Sequence, residues 1–270
     1  LVPGETAAPG TAAGKTGTAD PQTAGTAFTV TIKAVDANWN LISTNDTVSI
    51  SSSDANAALP ANAALVGGTK NLSVTLKTAG DATVTASDIT HSGITANTSP
   101  SISVSPGAFS KLQLLAPGET ASPGSATGKT GSPIAENLAV IFTATVNAVD
   151  ANWNLIDTVT DLLGITSSDA AATLPASTNL VGGTQTFDIT FGTTNNQTIT
   201  ATDLTDGTKT ANTSAAIMVN TVQYSAATGG GAISADTAGG TFTALTGPSY
   251  SEKTNGNVGT GTIILNVPSG

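Results

Sequence analysis

The run FTVTIKAVDANWNLI, Phe28 to Ile42, returns as FTATVNAVDANWNLI, Phe142 to Ile156, and its pattern decides the fold. Phe28, Val30, Ile32 and Ala34 alternate with Thr29, Thr31 and Lys33, and the same period of two runs along Phe142-Thr-Ala-Thr-Val-Asn-Ala148. Side chains of a strand point alternately to its two faces, so each run is a half-buried strand with its apolar face inward. Outward from it the agreement continues. LVPGETAAPGTAAGKTG from Leu1 matches LAPGETASPGSATGKTG from Leu115, LVGGT recurs at Leu65 and Leu180, and ANTS at Ala96 and Ala211. The offset is 114 at Phe28 and Phe142 but 115 at Leu65 and Leu180, which places one inserted residue between Ile156 and Ser167. A surface loop tolerates such an insertion. The chain is therefore a duplicated domain of about 115 residues, an ordinary domain size.

Further alternating runs lie at Thr47 to Ser51, Asn71 to Lys77, Ala82 to Ala86 and Ser101 to Val104, separated by Gly, Asn, Asp or Pro clusters. No stretch holds an apolar 3.6 period for about ten residues, so helices are not expected. With a lead strand and a short Ala57 to Leu59 segment, the count is about seven strands per unit, as in an immunoglobulin-like sandwich. The expected inner faces are Phe28, Val30, Ile32 and Ala34; Leu72, Val74 and Leu76; and Ala82, Val84 and Ala86. The expected class is all-β, tandem immunoglobulin-like β-sandwich domains over residues 1–108 and 109–221, followed by a partial β domain of a different type over 222–270. Phe109-Ser-Lys-Leu-Gln-Leu-Leu115 leads into the second Pro-Gly-Glu-Thr motif as an alternating strand, and the first copy has no such strand ahead of Leu1. The expectation is a window cut from a longer polypeptide, whose last run, Gly261 to Val267, is a candidate to complete a sheet in a neighbouring chain.

The order FTVTIKAVDANWNLI, an apolar loop with LVGGT, an alternating SVTL strand, DATVTASD and a closing SISVSPG resembles the bacterial Ig-like domains of the invasin and intimin type. The likeness covers both units, and its motifs are short. That family runs its second strand into an Asp-x-x-Gly-Asn turn, whereas Trp39 and Trp153 stand here at the Gly position. The departure implies a wider turn with the indole packed on a neighbour. The resemblance implies a sandwich fold and no catalytic residues. Such domains serve as spacers, adhesive tips and polymer subunits alike, so fold alone does not choose among them.

Composition excludes several classes. The chain has no Cys and no Arg, and its 8 Lys stand against 18 carboxylates, for a net charge of -10. Nucleic-acid binding needs clustered cations and leans on the guanidinium fork, so it is disfavoured. No apolar run approaches the roughly 18 residues that cross a bilayer. Regularly placed Val, Ile, Leu and Phe argue against disorder. A Thr-rich, acidic, cysteine-free composition is that of secreted prokaryotic surface proteins, so an extracellular or cell-surface location is expected.

Asp36, Asn38 and Asn40, with Asp150, Asn152 and Asn154, place side-chain oxygens at alternate positions, as in the first half of a calcium loop. An EF-hand needs Gly at its sixth position and Glu at its twelfth, and Leu41 and Thr47 stand there. Calcium on these six residues is the candidate metal reading, against a turn in which the carboxylates cap backbone N-H groups. No other cofactor is expected. Gly14-Lys15-Thr16 and Gly128-Lys129-Thr130 are not phosphate loops, because Pro9 and Pro123 occupy the required first Gly. The long Pro- and Gly-rich segment around them, kept in both copies, is instead a candidate contact surface between domains or subunits. His91 is the only His and lacks a counterpart in copy two, so a Ser-His-Asp triad would be open to copy one alone, and no Ser stands in an elbow motif. Lys33 is replaced by Asn147 and points outward, which argues against an isopeptide crosslink.

The sequence thus points to a non-catalytic extracellular structural module of a large repetitive bacterial surface protein. It is expected to assemble into a filament, sheath or surface layer through contacts with copies of itself or neighbouring repeats. The alternative is a stalk or spacer of an adhesin, or of a carbohydrate-binding or carbohydrate-active secreted protein. A glycan partner would call on exposed aromatics, of which Trp39, Trp153, Tyr224 and Tyr250 are the candidates.

Overall fold

A computed structural model describes residues 1–221 and, for the backbone alone, 223–224 and 250–251. Every described element is a strand. Among the described residues no helix is long and apolar enough to cross a membrane. Gln223–Tyr224 pairs with Tyr250–Ser251; the rest of the anticipated third domain, including the run Gly261 to Val267, lies outside the described residues.

Two immunoglobulin-like β-sandwiches follow one another. In the second, Ile141–Val149 is the central strand of one sheet, antiparallel to Lys111–Leu115 on one side and Thr184–Thr190 on the other. The facing layer is built on Leu162–Ser167, which pairs with Thr178–Asn179 and Ile199–Asp203. Asn195–Gln197 and Ile199–Asp203 are successive short strands in different sheets, pairing with Ile217–Asn220 and Asn212–Thr213. Glu136–Asn137 pairs in parallel with Ile217–Asn220, whose other neighbour is Asn195–Gln197, in a separate three-stranded sheet. The first domain repeats the plan, with Ala27–Lys33 against Thr69–Thr75 and Thr47–Ser52 against Val84–Asp88.

Each domain has its own core. One draws on residues from Val2 to Val104, the other on residues from Leu112 to Val219. The alternation read from sequence is the burial pattern: Phe28, Val30 and Ile32 are buried while Thr29 and Lys33 are exposed. Val74, Leu76, Ala82 and Val84 are buried too, and Ala34, Leu72 and Ala86 pack against them partly exposed.

Three local expectations are corrected. The run Ala82 to Ala86 is not one strand: Gly80–Ala82 joins Ile102–Ser105, while Val84–Asp88 joins Thr47–Ser52. Between them Thr83 leaves the ladder, donating its N-H to Ser53 Oγ and accepting at its carbonyl from Ser53 N-H. The segment Ala57 to Leu59 is only a bridge of Ala58 to Thr75. The Pro-Gly segment is not an open loop but a hairpin, Glu5–Ala7 on Lys15–Gly17 and Glu119–Ala121 on Lys129–Gly131.

Candidate functional site: the joint between the domains

The Asp-Ala-Asn-Trp-Asn segment forms a tight hairpin turn in each copy. Asp36 N-H donates to Asn40 O at 3.0 Å and Trp39 N-H to Asp36 O at 3.0 Å. The Asp36 carboxylate accepts Asn40 Nδ2 at 3.0 Å and the N-H groups of Asn40 and Asn38 at 2.9 and 2.8 Å; these bonds, the one from the Asn40 side chain first, hold its pKa below the usual range. A three-residue hairpin loop of this kind ends on a left-handed residue, normally Gly. Here Trp39 and Trp153 adopt it, with φ of 64° and 68°. A bulky residue in that region is strained by about 1 to 2 kcal/mol.

The indoles explain why the strain is tolerated. A Cβ built on Gly14 would lie 2.0 Å from the Trp39 ring, and one on Gly128 would lie 2.2 Å from that of Trp153. Each indole therefore lies flat on a glycine of the Pro-Gly hairpin. Gly10 N-H and Gly124 N-H bond the carbonyls of Asn38 and Asn152 at 2.8 and 2.7 Å. The two motifs, well apart in sequence, thus form one surface. The hairpin itself is closed by Glu5 and Lys15 at 2.7 Å and by Glu119 and Lys129 at 2.8 Å, which gives the Gly-Lys-Thr lysines a structural role. Sequence reasoning missed these ion pairs. The available signal was that two of only four Glu and two of eight Lys recur at the same repeat positions.

The copies differ in what covers this surface. In the first, Asp36, Asn38 and Asn40 are exposed. In the second, Asp150 and Asn154 are 1% exposed, because the first domain sits on them. Asn154 Nδ2 donates to Lys77 O at 2.9 Å, and Asn154 Oδ1 accepts Ala79 N-H at 2.8 Å. Asp150 Oδ2 accepts Gly107 N-H at 2.8 Å and Asn154 Nδ2 at 2.9 Å. From the Pro-Gly hairpin, Pro123 O accepts Asn56 Nδ2 at 3.2 Å. The pole of the first domain is itself pinned by Asp54, whose carboxylate accepts the N-H groups of Lys77, Thr78 and Asn56 at 2.7, 3.0 and 3.0 Å. Lys111 Nζ lies 3.3 Å over the Trp153 ring, and desolvation there lowers its pKa.

These contacts show where the six candidate calcium ligands sit. The structure does not gather them into one place; it splits them into two loops, one exposed and one at the joint. A different set of ligand-type groups converges in the first domain: Asp46, Asp88 and His91 offer atoms within 4.8 Å of one another, and His91 Nδ1 lies 3.3 Å from Asp46 Oδ2. At the equivalent place in the second domain stand Asp161, Asp203 and Asp206, with Lys209 on Asp206 at 3.1 Å. Desolvation, then the Asp203 charge, raises the Asp161 pKa.

No family model matches the chain, and no curated protein matches it. Among solved structures it is similar to the D00-D0 domains of intimin, with 12% identity and a TM-score of 0.36 over 74% of this chain and 96% of that one. The D0-D1 domains of intimin give 12% and 0.30 over 74% and 93%. Domains 4-9 of the surface layer protein SbsC give 19% and 0.29 over 78% of this chain but 31% of that one. The immunoglobulin-like assignment rests on the strand order described above.

Proposed function

We propose that the chain is a non-catalytic structural module of a large extracellular bacterial surface protein, whose repeats stack head to tail and assemble into a filament, sheath or surface layer. The observation that carries this is the joint. One Asp-x-Asn-Trp-Asn loop is buried against the pole of the preceding domain, while its twin in the first domain stays exposed with the same internal bonding. A loop that keeps a strained Trp in both copies, but meets a neighbour in only one, is built for stacking. The second domain also repeats the pole: Asp169 accepts the N-H groups of Ala171, Gly192 and Thr193 at 2.9, 2.7 and 2.9 Å, as Asp54 does in the first.

The single His91 is exposed on a turn, and the repeated Lys and Glu side chains are engaged in closing hairpins. Electron microscopy of the purified chain tests the assembly reading. Ordered filaments or sheets repeating at one or two domain lengths are the expected result. Separate thin rods at micromolar concentration would reduce the module to a stalk or spacer.

A further inference from the structure

Asp46 and Asp88 meet at one corner of the first domain. Asp46 stands just ahead of the strand Thr47–Ser52, and Asp88 is the last residue of its antiparallel neighbour Val84–Asp88, opposite Val48. Asp88 Oδ1 accepts the N-H groups of Thr90 and His91 at 2.8 and 2.9 Å, so the turn that fixes this carboxylate also delivers the imidazole. One ligand atom from each of Asp46, Asp88 and His91 lies within 4.8 Å of the other two, and His91 Nδ1 is 3.3 Å from Asp46 Oδ2. Two donors about 2.1 Å from a tetrahedral zinc ion stand about 3.4 Å apart, so that pair already has the spacing of two ligands.

The second domain carries a positive charge at the same corner. Asp161 and Asp203 repeat the carboxylate pair, and Asp203 Oδ1 again takes two N-H groups, those of Thr205 and Asp206, both at 2.9 Å. Asp203 is 3% exposed, yet its Oδ2 is buried without a hydrogen-bond partner while the Asp161 carboxyl stands within bonding reach. Two carboxylates that face each other without a donor repel, and a cation beside them relieves this. That copy brings its own: Lys209 Nζ is 3.1 Å from Asp206 Oδ2. The first domain makes the same turn, with Ile94 N-H on His91 O where Lys209 N-H is on Asp206 O, but with different side chains. Ile94 stands for the lysine and His91 for the aspartate, so the ammonium is gone and a metal-binding nitrogen takes its place.

We propose that Asp46, Asp88 and His91 bind a divalent transition-metal ion of the zinc class, which supplies in the first domain the positive charge that Lys209 supplies in the second. Imidazole with carboxylate suits zinc, copper or nickel, whereas calcium takes about six to eight oxygens, more than this corner offers. The three side chains fill three positions of a tetrahedral ion and leave the fourth to water. The His91 side chain is 64% exposed, so an ion reaches the site without any opening of the fold. Binding there ties the ends of two paired strands to the turn that follows them, a role separate from stacking at the joint.

Zinc chloride titrated into the untagged, chelator-treated full chain tests it, read by calorimetry and by NMR of the His91 ring. His91 is the only His of the chain, so its ring signals identify themselves. The expected result is one ion per chain, with Nδ1 of His91 as the shifted nitrogen. Asp46→Asn and His91→Ala should each weaken binding by about tenfold or more, since even an outer partner of a metal ligand costs that much. Ile94→Lys, at an exposed position, should weaken it too by bringing an ammonium to the cluster, and Asp161→Asn should leave it unchanged. Absence of a saturable shift at His91 would overturn the proposal. Binding that Asp46→Asn leaves undiminished would overturn it as well, because the ion would then sit on a lone surface imidazole.

Discussion

Asn154→Ala and Asn40→Ala are the same substitution in the same loop, and the joint makes them unequal. Both variants lose the amide bond to the neighbouring carboxylate, Asp150 or Asp36. Only Asn154→Ala also strands Lys77 O and Ala79 N-H, which face Asn154 at 2.9 and 2.8 Å in a place that is 1% exposed. A side-chain hydrogen bond contributes about 1 kcal/mol net, and a buried group left without its partner costs about 1 to 3 kcal/mol. The shared local loss cancels in the difference, so Asn154→Ala is expected to exceed Asn40→Ala by about 2 to 4 kcal/mol. Asn40 is exposed and its replacement should stay within about 1 kcal/mol. Urea denaturation followed by tryptophan fluorescence gives both values. NMR relaxation adds a second readout, since the two domains of Asn154→Ala should tumble with greater independence. Equal destabilisation by the two substitutions would refute the joint as described.

Glu136 is half-buried with Oε1 unpartnered, and desolvation raises its pKa to about 7. A carboxyl whose folded pKa lies above its unfolded value contributes stability below about pH 4.5 that is lost as pH rises towards 7. Glu136→Gln, which copies Gln22 of the first domain, should therefore stabilise the chain at pH 8 and flatten its stability profile between those limits, as melting temperatures against pH would show. Gly128→Ala drives a methyl into the Trp153 ring at 2.2 Å and strains a φ of 76°; a cost of about 1 to 3 kcal/mol is expected, with a red-shifted Trp153 emission in a Trp39→Phe background. Calcium is expected to leave the Asp36 loop unchanged, because its carboxylate is already satisfied by N-H donors; equal melting temperatures in excess calcium and in EDTA would bear this out. Should calcium stabilise, Asp46→Asn would abolish the effect and Asp36→Asn would not, because only Asp46 lies in a cluster of converging ligand atoms.

Strand positions and inner faces were legible because a period of two is dictated locally, one residue after another. Phe28, Val30 and Ile32 needed nothing else. The kink at Thr83 was not legible, since the two sheets it divides are defined by partners far along the chain. The same holds for the Pro-Gly hairpin, whose residues carry few β-branched side chains and whose two strands are bridged by the Glu5–Lys15 ion pair. Trp39 marked its own turn as unusual by standing where a left-handed residue belongs. That Gly14 would be its seat required the tertiary fold. The joint was the least legible feature, because identical letters, Asp36 to Asn40 and Asp150 to Asn154, occupy opposite environments.

The chemistry of the joint also defines what the loop requires of the pole it meets. Asn154 reads a carbonyl and an N-H two residues apart, Lys77 O and Ala79 N-H, and touches neither side chain through those bonds. The requirement on the facing pole is therefore a backbone shape. That shape is set by Asp54, which clamps Lys77 and Thr78. In the second domain the clamped residues become Gly192 and Thr193, yet Asp169 holds them with the same two bonds, 2.7 and 2.9 Å. Gly80, with φ of 121°, gives way to Asn195, which reaches 84°, a residue that tolerates the left-handed region. Side chains around the pole can thus drift while the carboxylate keeps the turn. A joint set by one Asp on the pole and an Asp-Asn pair on the loop tolerates change in the side chains around it, which is what the proposed stacking of unequal repeats would require.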